Sequence, residues 1–389
     1  MFYQFVDDDM QQSQPQFRGR CVDALATLVL TRLTDVRSLN LGEGFLRYSL
    51  FLPQLLKRTD YLFPQLRHVT LGDKSPDVRA SVSYMDLNLL RPVFYSSTIA
   101  KFECSMSQPW RFQWNEAKPP RSNTLTSLTL FRTNISRATL GELLSATPKL
   151  KYLHFEHELV FNASMNSGPS LAPYLGLDEL NTALFPVRDT LEECHFILRL
   201  SPGSISTTEY PLASVRFPPV QGTLTMLKFM PRLVKVEVPM TMLLGWYPNF
   251  AAKLEEVLPH GLVDLTLRDD LVRYCPWVAP INAEKKVVRI AEYIQGRAFH
   301  ATQLESLKVR LTSAKRSLAH SVSALSESTS GRGSNTSLVR GKKSETYGWR
   351  FEQTIPIMMN SYHVVTRKDS VFRPMSPLFE SCLSEANFF

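Results

Sequence analysis

The chain has 389 residues, 44 % of them hydrophobic and 21 % charged, with 44 Lys and Arg against 36 Asp and Glu for a net charge of +8. That is enough apolar material to fill a large core in one solenoid or two ordinary domains, and it places the chain in the globular class. The positive excess is partly local, because Ser313 to Glu345 holds six Lys/Arg and two Asp/Glu and so supplies +4; the remainder is weakly basic and no nucleic-acid partner is expected.

Residues 1–20 form a polar N-terminal segment. MFYQFVDDDM sets three aspartates where a secretory leader carries basic residues ahead of an apolar stretch, and no window approaches the roughly 18 apolar residues of a membrane helix. An intracellular protein of cytoplasm or nucleus, with no membrane partner, is the expectation. Cys21, Cys104, Cys194, Cys275 and Cys382 stand far apart without a CxxC, which predicts buried free thiols and neither a disulfide framework nor a zinc site. The sequons at Asn134, Asn162 and Asn335 are at chance frequency and predict no glycosylation.

From residue 21 to residue 312 one apolar pattern, L-x-x-L-x-L with conservative replacements, returns nine times. The copies are Val36/Leu39/Leu41, Leu66/Val69/Leu71, Ile99/Phe102/Cys104, Leu125/Leu128/Leu130, Leu150/Leu153/Phe155, Leu191/Cys194/Phe196, Leu233/Val236/Val238, Leu262/Leu265/Leu267 and Leu304/Leu307/Val309. Their starts lie 25 to 42 residues apart. The last two positions of each copy are two residues apart, the period of a strand with one buried face.

The spacers carry the helical period instead. Ser136 is placed to cap a helix whose apolar side is Leu140, Leu143 and Leu144, with Pro148 to end it. Leu25/Leu28/Val29, Leu254/Val257/Leu258 before Pro259, and Val287/Ile290/Ala291/Ile294 fit the same grammar. Pro64, Pro148, Pro231 and Pro259 each stand just ahead of a predicted strand and mark the turn from helix to strand. Strand, helix, strand at this period predicts an α/β leucine-rich-repeat solenoid, a horseshoe with a parallel concave sheet and convex helices.

Residues 313–345 contain ten serines and few large apolar side chains, which predicts a disordered loop. Ser317 after Lys315-Arg316, and Ser344 after Arg340-x-Lys342-Lys343, are conceivable basophilic kinase sites, although a solvated loop is the plainer reading. In the C-terminal segment, residues 346–389, WRFEQTIPIMMNSYHVV is apolar enough to fold back as a last strand capping the solenoid, and Lys368 onward is ragged.

No phosphate loop, HExxH, GxSxG or kinase signature is present, so neither enzyme activity nor a cofactor is expected. His154-Phe155-Glu156-His157 has an H-x-x-H spacing, but on a strand its two histidines point to opposite faces and no metal site is expected. Cys194 and His195 are likewise predicted to face inward and outward, and so cannot readily meet. The residue between the last two apolar positions of each copy faces out from the concave sheet, which predicts the row Asn40, Thr70, Glu103, Thr129, His154, His195, Glu237, Thr266 and Lys308. Its flanks add Arg67, His68, Lys151, Tyr152, Glu192, Glu193, Lys235 and Asp264, a mixed-charge surface with an aromatic that suits protein recognition. The residues expected to touch a protein partner are Glu103, Thr129, Tyr152, His154, Glu193, His195, Lys235, Glu237, Thr266 and Lys308.

SNTLTSLTLFRTNISRATLGELLSATPKLKYLHFEH, with FPQLRHVTLGD before it and PVRDTLEECHF and VLPHGLVDLTLRDDLV after it, resembles the fungal leucine-rich-repeat proteins of the F-box-like type. The likeness covers roughly residues 20 to 311. It implies irregular repeats used for protein recognition and, in many relatives, an N-terminal F-box joined through a Skp1-like adaptor to a cullin-type (SCF) ubiquitin ligase. Ahead of Cys21 the F-box itself is not visible. The leading expectation is therefore a non-catalytic interaction module, monomeric apart from its partner. A substrate receptor of a cullin-type ligase, its F-box missing or degenerate, is the alternative. A secreted β-helix enzyme acting on polysaccharide is disfavoured by the helical spacers and the missing leader.

Overall fold

The computed structural model describes residues 28–42 without 31 and 34, 52–72, 85–109, 111–114, 118–159, 175–200, 220–271, 275, 277, 280–296, 299, 301–311 and 351–356. All belong to one compact unit, Met1–Ile357; a second unit, Met358–Phe389, lies outside them. So do the polar segment 1–20, the serine-rich stretch 313–345 with Ser317 and Ser344, and Cys21, Cys382, Asn162 and Asn335.

Ten strands form one sheet in chain order. They are β1 (Ser38–Leu41), β2 (His68–Leu71), β3 (Lys101–Cys104), β4 (Ser127–Thr133), β5 (Tyr152–Leu159), β6 (Glu193–Leu200), β7 (Lys235–Pro239), β8 (Asp264–Arg268), β9 (Ser306–Leu311) and β10 (Phe351–Pro356). The first nine are parallel and β10 runs antiparallel along β9. The sheet is open, with β1 at one edge and β10 at the other, and is not a closed barrel. The chain is thus a mixed α/β protein built on a large parallel sheet.

The two-residue period explains the strands' burial. Leu39, Val69, Phe102, Leu128, Leu153, Cys194, Val236, Leu265 and Leu307 form one core-facing row, none more than 6 % exposed. Leu71, Cys104, Leu130, Phe155, Phe196, Val238, Leu267 and Val309 form the next and are equally buried. Cys104, Cys194 and Cys275 are free and buried, as packing residues would be.

Helices α1 (Leu52–Lys57), α2 (Thr59–Leu62), α3 (Leu87–Leu90), α4 (Pro92–Tyr95), α5 (Arg137–Ser145), α6 (Leu177–Leu184), α7 (Met240–Leu244), α8 (Leu254–Val257) and α9 (Pro280–Gln295) lie between the strands. Their apolar residues join those of the strands in a single core cluster, which makes them a second layer on the core side of the sheet. Ser136 caps α5, its Oγ accepting from the Thr139 N–H at 3.1 Å. The helix stops at Ser145, before the Thr147-Pro148 pair. α8 is a single turn because Pro259 drives Leu258 to φ −102° and ψ 148°, yet Leu254, Val257 and Leu258 are all buried. In α9, Ile290 and Ile294 face the core.

One predicted helical face is displaced. Around residues 28–30 the chain is helical, but Leu28 and Val29 are 55 % and 59 % exposed and Leu30 packs against the core in their place. A shift of one residue turns a helical face by about 100°, which is enough to exchange the two sides.

Polar bonds also tie successive segments of this unit to one another. Thr133, buried, donates from its hydroxyl to the Met106 carbonyl at 2.7 Å. Asn181 accepts from the Met226 N–H and donates to the Thr223 carbonyl, each at 2.9 Å. Buried backbone groups in the turns are satisfied in this way without a further strand. Among the described residues no helix is long and apolar enough to cross a membrane.

Candidate functional site

The side of the sheet away from the core carries the polar row. Asn40, Thr70, Glu103, Thr129, His154, His195, Glu237, Thr266 and Lys308 pair in register, each with the next, across all nine parallel strands. Two residues earlier, and so on the same face, runs a second row that includes His68, Lys101, Tyr152, Glu193, Lys235 and Asp264. Arg67, Lys151 and Glu192 fall one residue earlier still, ahead of their strands in the turns. Lys151 and Glu192 form an exposed ion pair there at 2.9 Å, and Arg67 donates to the Thr98 carbonyl.

Facing outward does not make every member of the row accessible. Thr129, Tyr152, His154, Glu193, His195 and Lys308 are half-buried and Lys235 is exposed, but Glu103, Glu237 and Thr266 are closed off. Glu103 is 3 % exposed and Glu237 7 %. These three stand on the expected row but offer little surface of their own. Parallel strands lie only about 4.8 Å apart, so long cationic side chains from adjoining positions fold over the shorter carboxylates between them.

Two carboxylate nodes result. At the first, Glu103 is met by Lys101 Nζ at 2.6 Å and the Thr70 hydroxyl at 3.3 Å, with His68 Nε2 at 3.8 Å. At the second, Glu237 Oε1 accepts from Arg268 Nη1 at 2.6 Å and from Arg310, while Oε2 lies 3.4 Å from His195 Nδ1. Arg268 also donates through Nε to Asp270 Oδ2 at 2.9 Å, and the same oxygen accepts from the Leu198 N–H. Burial alone pushes the Glu237 carboxyl up; the His195 and Arg268 hydrogen bonds, with the charges of Arg268 and Arg310, more than offset it and hold the group well below the carboxylate range. Glu237 is therefore an ionised anchor that joins β7 to β8 and β9.

Between the nodes runs an aromatic ladder. The rings of His154 and His195 stack at 6.0 Å, and Tyr152 lies 5.3 Å from His195. Lys235 and His195 both approach Glu193, at 3.3 and 3.7 Å. Burial, followed by the charges of Glu193, Glu103 and Glu237, raises the Tyr152 phenol, which keeps its proton and stays a hydrogen-bond donor. Further along β5, Glu156 pairs with Arg199, and Arg132 lies 3.8 Å from Glu158.

The nucleophile and metal patterns come apart as the strand period dictates. Cys194 is buried in the core, where desolvation pushes its thiol up, while His195 faces Glu237 on the other side. His157 is buried against Phe155 at 5.5 Å, on the opposite face from His154. Desolvation and then the Arg137 charge push its pKa down to about 3. Among the described residues no group of three His, Cys, Asp or Glu side chains is gathered that could hold a metal ion.

Sequence reasoning passed over Arg268, Arg310, Asp270 and Arg199. The signal for three of them was present: Arg268 and Arg310 stand two residues after Thr266 and Lys308, and Arg199 four after His195, so the same alternation puts them on the same face. Asp270 reaches the network from beyond the end of β8, where no periodicity applies. No protein-family model matches this sequence, and no curated protein matches it.

Proposed function

We propose that the chain is a leucine-rich-repeat solenoid that works as a non-catalytic interaction module, with a protein partner seated on the outer, concave face of the sheet. The observation that carries this reading is the unbroken register of nine polar positions along one parallel sheet, from Asn40 to Lys308. Repeats of one strand and a returning segment bury their leucines only against neighbours and leave their outer face free for binding. Thr133 occupies the slot where such repeats carry an asparagine, and its buried bond to Met106 performs the corresponding inter-unit role.

The accessible part of the face is compositionally suited to a protein surface. Tyr152 offers a ring and a donor, and Lys235, Glu193 and Asp264 offer charges of both signs. Tyr152 lies against His195 and Lys235 pairs with Glu193, so binding a partner there costs less side-chain entropy than it would on a mobile surface. Glu103 and Glu237 supply rigidity from beneath.

A photo-crosslinking amino acid placed singly at Tyr152 and Lys235, and at exposed Ser145 and half-buried Glu255 on the helical layer, tests the placement in the native cell. Protein adducts that form from the first pair, and disappear when Glu193 is replaced by alanine, are expected. Adducts confined to the helical layer, or none from any site, would overturn the reading.

A further inference from the structure

A groove separate from the outer face lies at the rim of the sheet where helical segments turn into β6, β7 and β8. The turns over Phe185–Val187, Met226–Phe229 and Pro259–Gly261 enclose an open groove of about 820 Å³. Phe185 and Phe229 stand in it 51 % and 64 % exposed, although rings of that size are among the side chains most favoured for burial. Pro231 and Pro259, two of the four strand-entry prolines, form part of its lining.

Two properties narrow what can occupy it. No strand can be added there, because β6, β7 and β8 are paired on both sides, Pro231 and Pro259 have no N–H, and the Met230 and Leu233 N–H groups are spent inside the turn on Leu227 and Met230 carbonyls. Recognition there must therefore run through side chains. The rim is also asymmetric in charge. Arg188 and Lys228 line the groove against Asp189 alone, a net charge of +1, and the Asp189 contact at 3.3 Å is made through the Arg188 Nε. The Arg188 guanidinium is held 4.1 Å above the Phe185 ring, so cation and apolar surface are presented together.

We propose that this groove docks a short linear segment of a partner protein that sets a bulky apolar side chain beside a carboxylate. The apolar group seats between Phe185 and Phe229, and the carboxylate meets Arg188 and Lys228. None of these residues belongs to the outer face of the sheet, so the surface is separate from the one proposed above and survives if that proposal fails.

Selection of a phage-displayed library of short randomised peptides on the full chain, with counter-selection on the F185A/F229A double variant, is the test. Enriched peptides should combine an aromatic or aliphatic residue with Asp or Glu. Remade as labelled peptides, they should bind at least about tenfold more weakly when the acid is changed to Lys or the apolar residue to Ser. Because both rings are largely exposed, the double variant should melt with the parent, which separates lost binding from lost folding. Failure to enrich any peptide, enrichment of basic peptides, or equal binding to the double variant would overturn the proposal. Self-association of the chain that the double variant abolishes would assign the groove to a second copy and overturn it too.

Discussion

Glu103 and Glu237 occupy equivalent places in their repeats, four strands apart on one row, and both are nearly sealed from water, yet they are held in different ways. Glu103 takes its cation from Lys101 on its own strand, and that lysine is 44 % exposed. Glu237 takes two arginines from later strands, 31 and 73 residues along the chain, and Arg268 is only 8 % exposed. The first arrangement is a local pair that water can rescue. The second joins three strands, and neither partner can be solvated once the other is lost. A repeat position specifies the direction of a side chain; its energetic role depends on where the opposite charge comes from.

The largest expected effect follows from that contrast. Glu237→Ala takes from buried Arg268 one of its two carboxylates, leaving Asp270, and also removes the acceptor of Arg310, and should cost about 3–5 kcal/mol in denaturant unfolding, as breaking one side of a buried pair does. Glu103→Ala, which leaves a lysine able to turn to solvent, should cost roughly 1 kcal/mol. Equal losses would dissolve the distinction. Leu128→Ala, on the core face of β4, provides the scale for packing alone and should cost about 2–5 kcal/mol.

Acid sharpens the comparison. The Glu237 carboxyl is held below its unfolded value of 4.5, so its contribution is complete above that pH and is lost as the pH falls through the lower folded value. His157 acts earlier on the scale. Its folded pKa of about 3 lies below the unfolded 6.5, so the unfolded chain takes up the proton first and stability declines as pH falls from 6.5 toward 3. His157→Phe should flatten the stability profile between pH 6.5 and 4.5, and Glu237→Gln should flatten it only below 4.5. A His157→Phe profile that keeps the parental slope in the upper window would remove His157 from the account.

Salt gives the smallest effect. Raising sodium chloride to about 1 M shortens the screening length to about 3 Å and should weaken the Lys101–Glu103 pair, whose lysine is partly exposed, by less than 1 kcal/mol, with less change at Glu237. Comparing Lys101→Met and Arg268→Met at low and high salt measures this directly; a salt-sensitive Arg268 would mean that the second node is wetter than its burial indicates.

Much of the architecture was legible without coordinates, because amphipathic periodicity is a local property. The nine strand positions, the outward row, the Ser136 cap and the opposite facing of His154 and His157 all follow from counting by two or by 3.6. The misplaced helical face at Leu28 and Val29 shows the weakness of the method where few positions constrain the count. The two nodes were not legible. Glu103, Glu237 and Thr266 stand on the outward row as expected but are buried, Glu103 beside Lys101 of its own strand and Glu237 beside arginines of later strands.

The sequence by itself determined which residues alternate into the core and which row looks away from it, since those depend only on backbone period and side-chain polarity. The tertiary structure alone decided that Arg268 and Arg310 close over Glu237, that the rings of His154 and His195 stack across 41 residues of chain, and that Phe185 and Phe229 meet in one groove. Each of these needs two or three separate repeats brought side by side in register, and no local pattern records the side-chain reach that then decides burial.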